Sequence, residues 1–444
     1  MSSTSSTKNT PAPYYLVALF IGLSTGLVGS AFHGLVGLAQ KKLPELPEAL
    51  QLHGAAAYVF MAVFCAVMFS GAVALVRTFA PEASGSGVQE VEGAMAGVRG
   101  IRWNRVLPVK FIGGLMALGS GLVGGREGPT IHMGASLAKM LSYRLQVGVE
   151  QSRALLGAGA AAGLTAAFNA PLASALFIIE EARAIFPYSI RTYNAVLIAC
   201  GASAIATVAI SGNTPFMAMS AVYMPLAWLP VFVLLGALLG VAGVIFNKAI
   251  LWGLDAASQL SLRVSPYVLP VVLGLCIGPL VLDFPAATGG GEGLVVFMVE
   301  HPLALSSLGL LVLVRFFMTT VSYVTGAPAG IFAPILALSS ALSIFLGSLL
   351  AQFVALPTDA MVAFAVAGMA GMFASTIRAP LVGVVLVIEL TGTYALAIPS
   401  LLAALSANVV AAALGGRPIY EALLERTLRL AGQPLPGKDQ ADPL

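Results

Sequence analysis

Long apolar segments recur along the chain, separated by short polar or glycine- and proline-rich breaks. Uninterrupted segments cover residues 14–38, 55–75, 195–210, 226–246, 267–281, 305–324 and 396–414. Shorter or interrupted ones cover 106–122, 155–179, 331–353, 362–372 and 381–390. A helix needs about 20 residues to cross the hydrocarbon layer, at ~1.5 Å per residue. The pattern therefore predicts complete spanning helices mixed with tilted, paired or half-crossing ones. The breaks fall at 84–87, 119–129, 169–171, 289–291, 326–334 and 378–380. Irregular backbone is tolerated at membrane depth only where protein buries it or where it lines a polar cavity.

These breaks come in pairs. Ser84-Gly85-Ser86-Gly87 matches Thr288-Gly289-Gly290-Gly291 (288 − 84 = 204). Gly125-Arg126-Glu127-Gly128-Pro129 matches Gly330-Ile331-Phe332-Ala333-Pro334 (330 − 125 = 205). The run AGAAAGLTAAFNAPLASALFIIEE from Ala158 matches AGMAGMFASTIRAPLVGVVLVIEL from Ala367 (367 − 158 = 209). A nearly constant offset indicates an internal duplication. Paired Gly/Pro-interrupted segments in two halves of a membrane chain point to a central transport site. The predicted organisation is a polar tail at 1–13, one membrane repeat at 14–215, a second at 216–420, and a short C-terminal tail at 421–444.

Composition agrees with a lipid solvent: 58% of residues are hydrophobic and 9% are charged, against roughly 25% charged in soluble domains. Mean hydropathy is +0.94. A net charge of +3, scattered, excludes nucleic acid as a partner. Cys65, Cys200 and Cys276 lie far apart in apolar stretches and read as small hydrophobes. No metal-ligating pattern occurs, and neither a metal nor a cofactor is expected. Lys/Arg clusters at Arg99, Arg102, Arg105 and Lys110, at Arg183 and Arg191, and near Arg417, Arg426 and Arg429 put these loops and the C-terminus in the cytoplasm by the positive-inside tendency, and the N-terminus is expected on the same side.

A helix N-terminus presents unpaired N–H groups and a partial positive charge of about half an elementary unit. Glycines before it let an anion approach the backbone. Several such termini converging in mid-membrane hold a dehydrated anion without a buried Lys or Arg, which would grip it too tightly for passage. A carboxylate beside such a terminus, Glu127, can occupy the anion site itself, and protonation would release it and let an anion enter. Intramembrane ionisable residues are functional by default. Glu180 and Glu181 are adjacent, so on a helix they point about 100° apart: one can line a pathway while the other faces water or a loop. Lys110, Glu90 and Glu92 read as a charge network at the inner side.

The motifs resemble the CLC family of chloride channels and chloride/proton antiporters, with greatest similarity to the bacterial antiporters. The matching stretches are Gly85-Ser86-Gly87-Val88, Gly125-Arg126-Glu127-Gly128-Pro129, Phe177-Ile178-Ile179-Glu180-Glu181, Gly330-Ile331-Phe332-Ala333-Pro334, and Tyr420 after Gly415-Gly416-Arg417-Pro418. They fall in the family's order and span nearly the whole chain. The resemblance implies an all-α polytopic membrane fold of two inverted-topology repeats, a homodimer with one pathway per subunit, a bacterial inner or plasma membrane, and proton-coupled chloride transport. It implies that the hydroxyls of Ser86 and Tyr420 and the backbone N–H groups of Ile331 and Phe332 bind chloride. It makes Glu127 the external gate and Glu181 the internal proton acceptor. Gly85, Gly87, Gly125, Arg126, Gly128, Gly330 and Glu180 are implied as supporting residues. Residues 195–210 and 396–414 are candidate interface helices.

Alternatives stand beside these readings. Ser86 could be a packing residue, Tyr420 an interfacial anchor, and Arg126 either a structural pair or an attractor for external anions. A passive chloride channel of the same family is the competing function, and Glu181 argues against it, since channel members commonly lack an acid there. Gln89 stands where most relatives have proline, which leaves open an antiporter preferring another anion. An intramembrane hydrolase using Ser86 or Ser120 with His132 lacks an orienting partner for the histidine, and no enzyme activity is expected.

Overall fold

The computed structural model describes residues 11–183, 185–186, 189–220 and 222–433. The helices in order are α1 (Pro11–Lys42), α2 (Leu46–Ala49), α3 (Ala55–Phe79), α4 (Val88–Met95), α5 (Trp103–Gly119), α6 (Glu127–Arg144), α7 (Val149–Phe168), α8 (Pro171–Glu181) and α9 (Ile190–Ser211). Then come α10 (Leu229–Leu260), α11 (Val268–Asp283), α12 (Glu292–Glu300), α13 (Leu305–Val324), α14 (Phe332–Leu350), α15 (Ala360–Ile377), α16 (Pro380–Thr391), α17 (Ala397–Ala413) and α18 (Ile419–Leu430). Eight helical segments among the described residues are long and apolar enough to cross a membrane. Their outer faces carry large apolar side chains, such as Phe20, Val59, Val67, Leu234, Ile245 and Val409, as a lipid solvent allows.

The all-α fold of two repeats is present element by element. α1, α3, α4, α5, α6, α7, α8 and α9 correspond in order to α10, α11, α12, α13, α14, α15, α16 and α17. Local chemistry repeats as well. Asn169 and Arg378 end α7 and α15 in the left-handed conformation (φ 52° and 71°). An alanine then leads into Pro171 and Pro380, the first residues of α8 and α16. Proline is preorganised for a helix start, where its missing N–H is not needed. Each long helix therefore reverses into a short half-crossing one. The expected single apolar run at 155–179 is divided in this way.

Two sets of contacts show how the repeats are related. Gly125 N–H donates to Gly330 O at 2.8 Å, and Gly330 N–H donates to Gly125 O at 2.6 Å, an isolated antiparallel bridge. Glu180 accepts from Leu381 N–H (3.3 Å) and Val382 N–H (2.8 Å). Glu389 accepts from Leu172 N–H (3.2 Å) and Ala173 N–H (2.7 Å). In both sets equivalent residues contact one another reciprocally, the pattern of a pseudo-two-fold axis between the halves, as in the inverted repeats of the fold. The axis passes beside the starts of α6 and α14, where the functional motifs gather. The 420/421 boundary falls inside α18, which packs on α4. Residues 1–10 and 434–444, most of the two expected tails, lie outside the described residues.

Candidate functional site

The loop before α4 is shaped by two left-handed glycines, Gly85 (φ 58°) and Gly87 (φ 85°). At Gly87 a side chain is excluded twice: by its φ, and by the His132 ring, whose Nδ1 is 2.3 Å from where a Cβ would sit. Lys110, fully buried on α5, donates from Nζ to Gly85 O (2.6 Å) and Ser86 O (3.0 Å). Both carbonyls are thus turned toward the ammonium. The Ser86 hydroxyl packs against the second residue of α6, 2.4 Å from where a Cβ of Gly128 would be.

Glu127 is the first residue of α6 and is fully buried. Its Oε2 lies 3.5 Å from Ala333 N–H, at the start of α14. The same oxygen sits 2.0 Å from where a Cβ of Gly125 would be, so the carboxylate folds back over its own Gly125 loop and a side chain there would displace it. Ile331 and Phe332 open α14, where first-turn N–H groups lack intrahelical acceptors. Tyr420, the second residue of α18, stacks on Phe332 with ring centroids 5.9 Å apart. Its hydroxyl interacts with Ser86 and senses the charge of Glu127.

The chain thus brings Ser86, Glu127, Ile331, Phe332 and Tyr420 together at three helix N-termini, those of α4, α6 and α14. Ser86 Oγ, Glu127 Oε1 and Tyr420 Oη are buried and, apart from the close approach of the two hydroxyls, meet no hydrogen-bond partner among the described residues. Buried polar atoms are almost always partnered, so three such atoms in one place mark a functional centre. Two hydroxyl donors beside a helix N-terminus suit an anion, and the carboxylate is positioned to compete for the same donors.

Glu181, at the end of α8, shares a narrow cavity of about 10 Å³ with Glu92, Val88, Val91, Met95, Ile131, Phe177 and Ile178. Such a space is close to the size of one water. Glu180 is not among the residues lining that cavity; its carboxylate caps the N-terminus of α16. Of the expected inner charge network, Lys110 and Glu90 lie within electrostatic range of one another, but no ion pair joins Lys110, Glu90 and Glu92 among the described residues. Lys110 holds carbonyls, Glu90 pairs with Arg99 at 2.9 Å, and Glu92 faces Glu181. Length explains the difference, since Lys110 sits on α5 deep enough to reach the Ser86 loop.

Arg126 pairs with Glu292 of α12, Nη2 to Oε1 at 3.2 Å, and its guanidinium lies 4.7 Å over the Phe216 ring. Glu292, the Lys110 tether and the pairing of Glu92 with the Glu181 cavity went unnoticed in the sequence. The tether was visible in principle, because Arg315 lies at the duplication offset (315 − 110 = 205) and holds the carbonyls of Ala287, Gly289 and Gly290. No hydrogen bond joins Ser86 or Ser120 to His132 among the described residues; Ser120 donates to Met116 O. Gln89 is buried on the first turn of α4 with Oε1 unpartnered.

A family model described as voltage gated chloride channel matches residues 66–412. The H(+)/Cl(-) exchange transporter ClcA of Vibrio campbellii is 41% identical over 432 residues, covering 95% of this chain and 91% of that protein. The protein of the same name from Salmonella arizonae is 38% identical over 446 residues, covering 98% and 93%. A slow cyanobacterial Cl-/H+ antiporter of known crystal structure superposes with a TM-score of 0.89 at 35% identity, over 95% of this chain and 99% of that one. A eukaryotic CLC transporter superposes with a TM-score of 0.75 at 25% identity, over 93% and 74%.

Proposed function

This chain belongs to the voltage-gated chloride channel (CLC) family, and on that premise we propose that it exchanges chloride for protons across a membrane. The observation that carries the reading is Glu127: one buried carboxylate folded onto the start of α14, within electrostatic reach of the Tyr420 hydroxyl. Ionised, it competes with chloride for the donors of Ser86, Tyr420, Ile331 and Phe332. Protonated, it loses the charge that holds it there and yields to the anion. Proton and chloride occupancy then alternate through one side chain, which makes Glu127 the external gate.

Glu181 is the inner proton acceptor. Its support is the cavity shared with Glu92, together with the exchange activity in the names of the relatives. A passive channel has no need of a second acid on the inner side. Gly85, Gly87, Gly125, Gly128 and Gly330 let the backbone approach the site, Arg126 stands at its outer mouth, and Glu180 locks α8 against α16. The protein works without a cofactor, as a homodimer with one pathway per subunit, in a bacterial inner or plasma membrane with both termini cytoplasmic. The exposed apolar faces of α9 and α17, including Ile205, Ile398, Leu405 and Val409, support the dimer. The division into repeats at 14–215 and 216–420 follows the duplication.

The test uses purified protein in liposomes. A chloride gradient should drive protons uphill in the opposite direction, and a proton gradient should drive chloride. Chloride flux without proton flux at every pH would overturn antiport.

A further inference from the structure

The second Gly-rich loop ends in an acid where the first does not: Glu292 follows Gly289-Gly290-Gly291, at the offset that aligns it with Val88 (292 − 88 = 204). It is the first residue of α12. Its carboxylate curls back over its own loop, with Oε1 and Oε2 2.6 and 2.5 Å from where a Cβ of Gly290 would be. It also accepts from Arg126 Nη2 at 3.2 Å. Arg126 is 9% exposed and its Nε has no partner. The charged groups around this pair are Glu127, the next residue of the chain, Arg315, which holds the loop carbonyls from the other side, and His33 near Arg126.

In the first loop the place beside the helix N-terminus is faced by the neutral Ser86 hydroxyl and holds no carboxylate of that loop. In the second, the chain's own carboxylate takes that place and is tied to the arginine immediately before the gate. We propose that Glu292 is a tethered competitor for the anion arriving from outside, holding Arg126 and thereby setting the apparent affinity of the outer mouth for chloride. This rests on the transport reading above and adds a residue that determines affinity on one face only. A free anion reaching Nη2 of Arg126 must replace the Glu292 carboxylate, and one arriving at the unpartnered Nε meets a guanidinium whose charge Glu292 already offsets. Removing that charge leaves a buried arginine beside the entry, and a mouth of one sign concentrates counter-ions.

Chloride half-saturation is measured in proteoliposomes, varying chloride on each face in turn at fixed ionic strength. Glu292→Gln should lower the outer half-saturation on the order of tenfold and leave the inner one and the proton-to-chloride ratio as in the wild type. Gly290→Ala should shift the outer value in the same direction, because the added methyl meets the end of the Glu292 side chain and not backbone. It serves as the test if Glu292→Gln does not fold. In an Arg126→Gln background the gain should vanish. An outer half-saturation unchanged within twofold, an equal shift on both faces, or a gain that persists without Arg126 overturns the proposal. Absence of proton coupling in the wild type would sink antiport but leave this comparison of the two faces intact.

Discussion

Replacing Lys110 by methionine tests whether the Ser86 loop is held by a buried cation. Lys110 Nζ is fully buried and donates to two carbonyls at 2.6 and 3.0 Å. Methionine fills similar space and leaves both carbonyls without that partner, at about 1–3 kcal/mol each. Part of this is offset, because burying a cation itself costs several kcal/mol; the expected net loss is about 2 kcal/mol. The effect on binding follows from the same contacts. Released carbonyls can rotate, and the Ser86 hydroxyl loses its aim. Loss of one hydrogen bond to an anion is about 1.5–3 kcal/mol, or at least about tenfold in affinity. The comparison variant is Arg315→Met, which breaks the equivalent tether to Ala287, Gly289 and Gly290 but has no serine in its loop to misdirect. Thermal unfolding and calorimetric chloride titration of both variants in detergent separate the effects. Both should unfold earlier than the wild type, and only Lys110→Met should lose chloride affinity strongly. Wild-type chloride affinity in Lys110→Met, or equal weakening by both variants, would refute the argument.

The remaining predictions address the two acids, the interlock and the loop. Glu127→Ala should keep chloride flux while abolishing its pH dependence and its proton coupling, both read from paired fluxes; retained coupling removes the gate assignment. Glu181→Gln should suppress proton flux at least tenfold with chloride flux largely preserved, whereas Glu180→Gln, which still leaves Glu181 in place, should mainly reduce stability. By the reciprocal caps, Glu180→Gln and Glu389→Gln should cost similar amounts, about 1 kcal/mol each, in denaturation experiments. Gly87→Ala should weaken chloride binding by at least tenfold, because it combines a strained φ with a clash against His132; calorimetry at the wild-type affinity would contradict the loop geometry.

Much of this was legible before any coordinates. The paired breaks predicted the duplication, and the structure turns each pair into equivalent helix starts. Glu127 stood out as a carboxylate in a glycine- and proline-punctuated break of an apolar chain, whereas Ser86, Ile331, Phe332 and Tyr420 were singled out by the resemblance of their motifs to the CLC family. Sequence periodicity failed where one side chain had to be matched to a distant partner. Lys110 was read with its acidic neighbours along the chain, but its four-carbon stem reaches carbonyls about 25 residues upstream. The 100° step already separated Glu180 from Glu181 in the sequence, but only the fold shows that Glu180 reaches the N-terminus of α16. Glu292 escaped because an acid on the first turn of a helix is ordinarily just a favourable cap, and only the fold sets it against Arg126.

The duplication keeps its structural residues and changes its chemical ones. The glycine bridge, the two carboxylate caps and the two buried cations recur across the pseudo-two-fold axis. At the same offsets Ser86 becomes Gly290, Glu127 becomes Phe332, Val88 becomes Glu292, and Glu181 becomes Leu390. The recurring set holds backbone, and inverted copies of one scaffold bring helix N-termini to the centre from opposite sides. A fully symmetric centre would treat an anion identically from both faces. Under the proposed function, Glu127 as an outer gate and Glu181 as an inner proton acceptor would make the two approaches different, which coupling requires. Symmetry therefore builds the anion site, and the four broken positions give it direction.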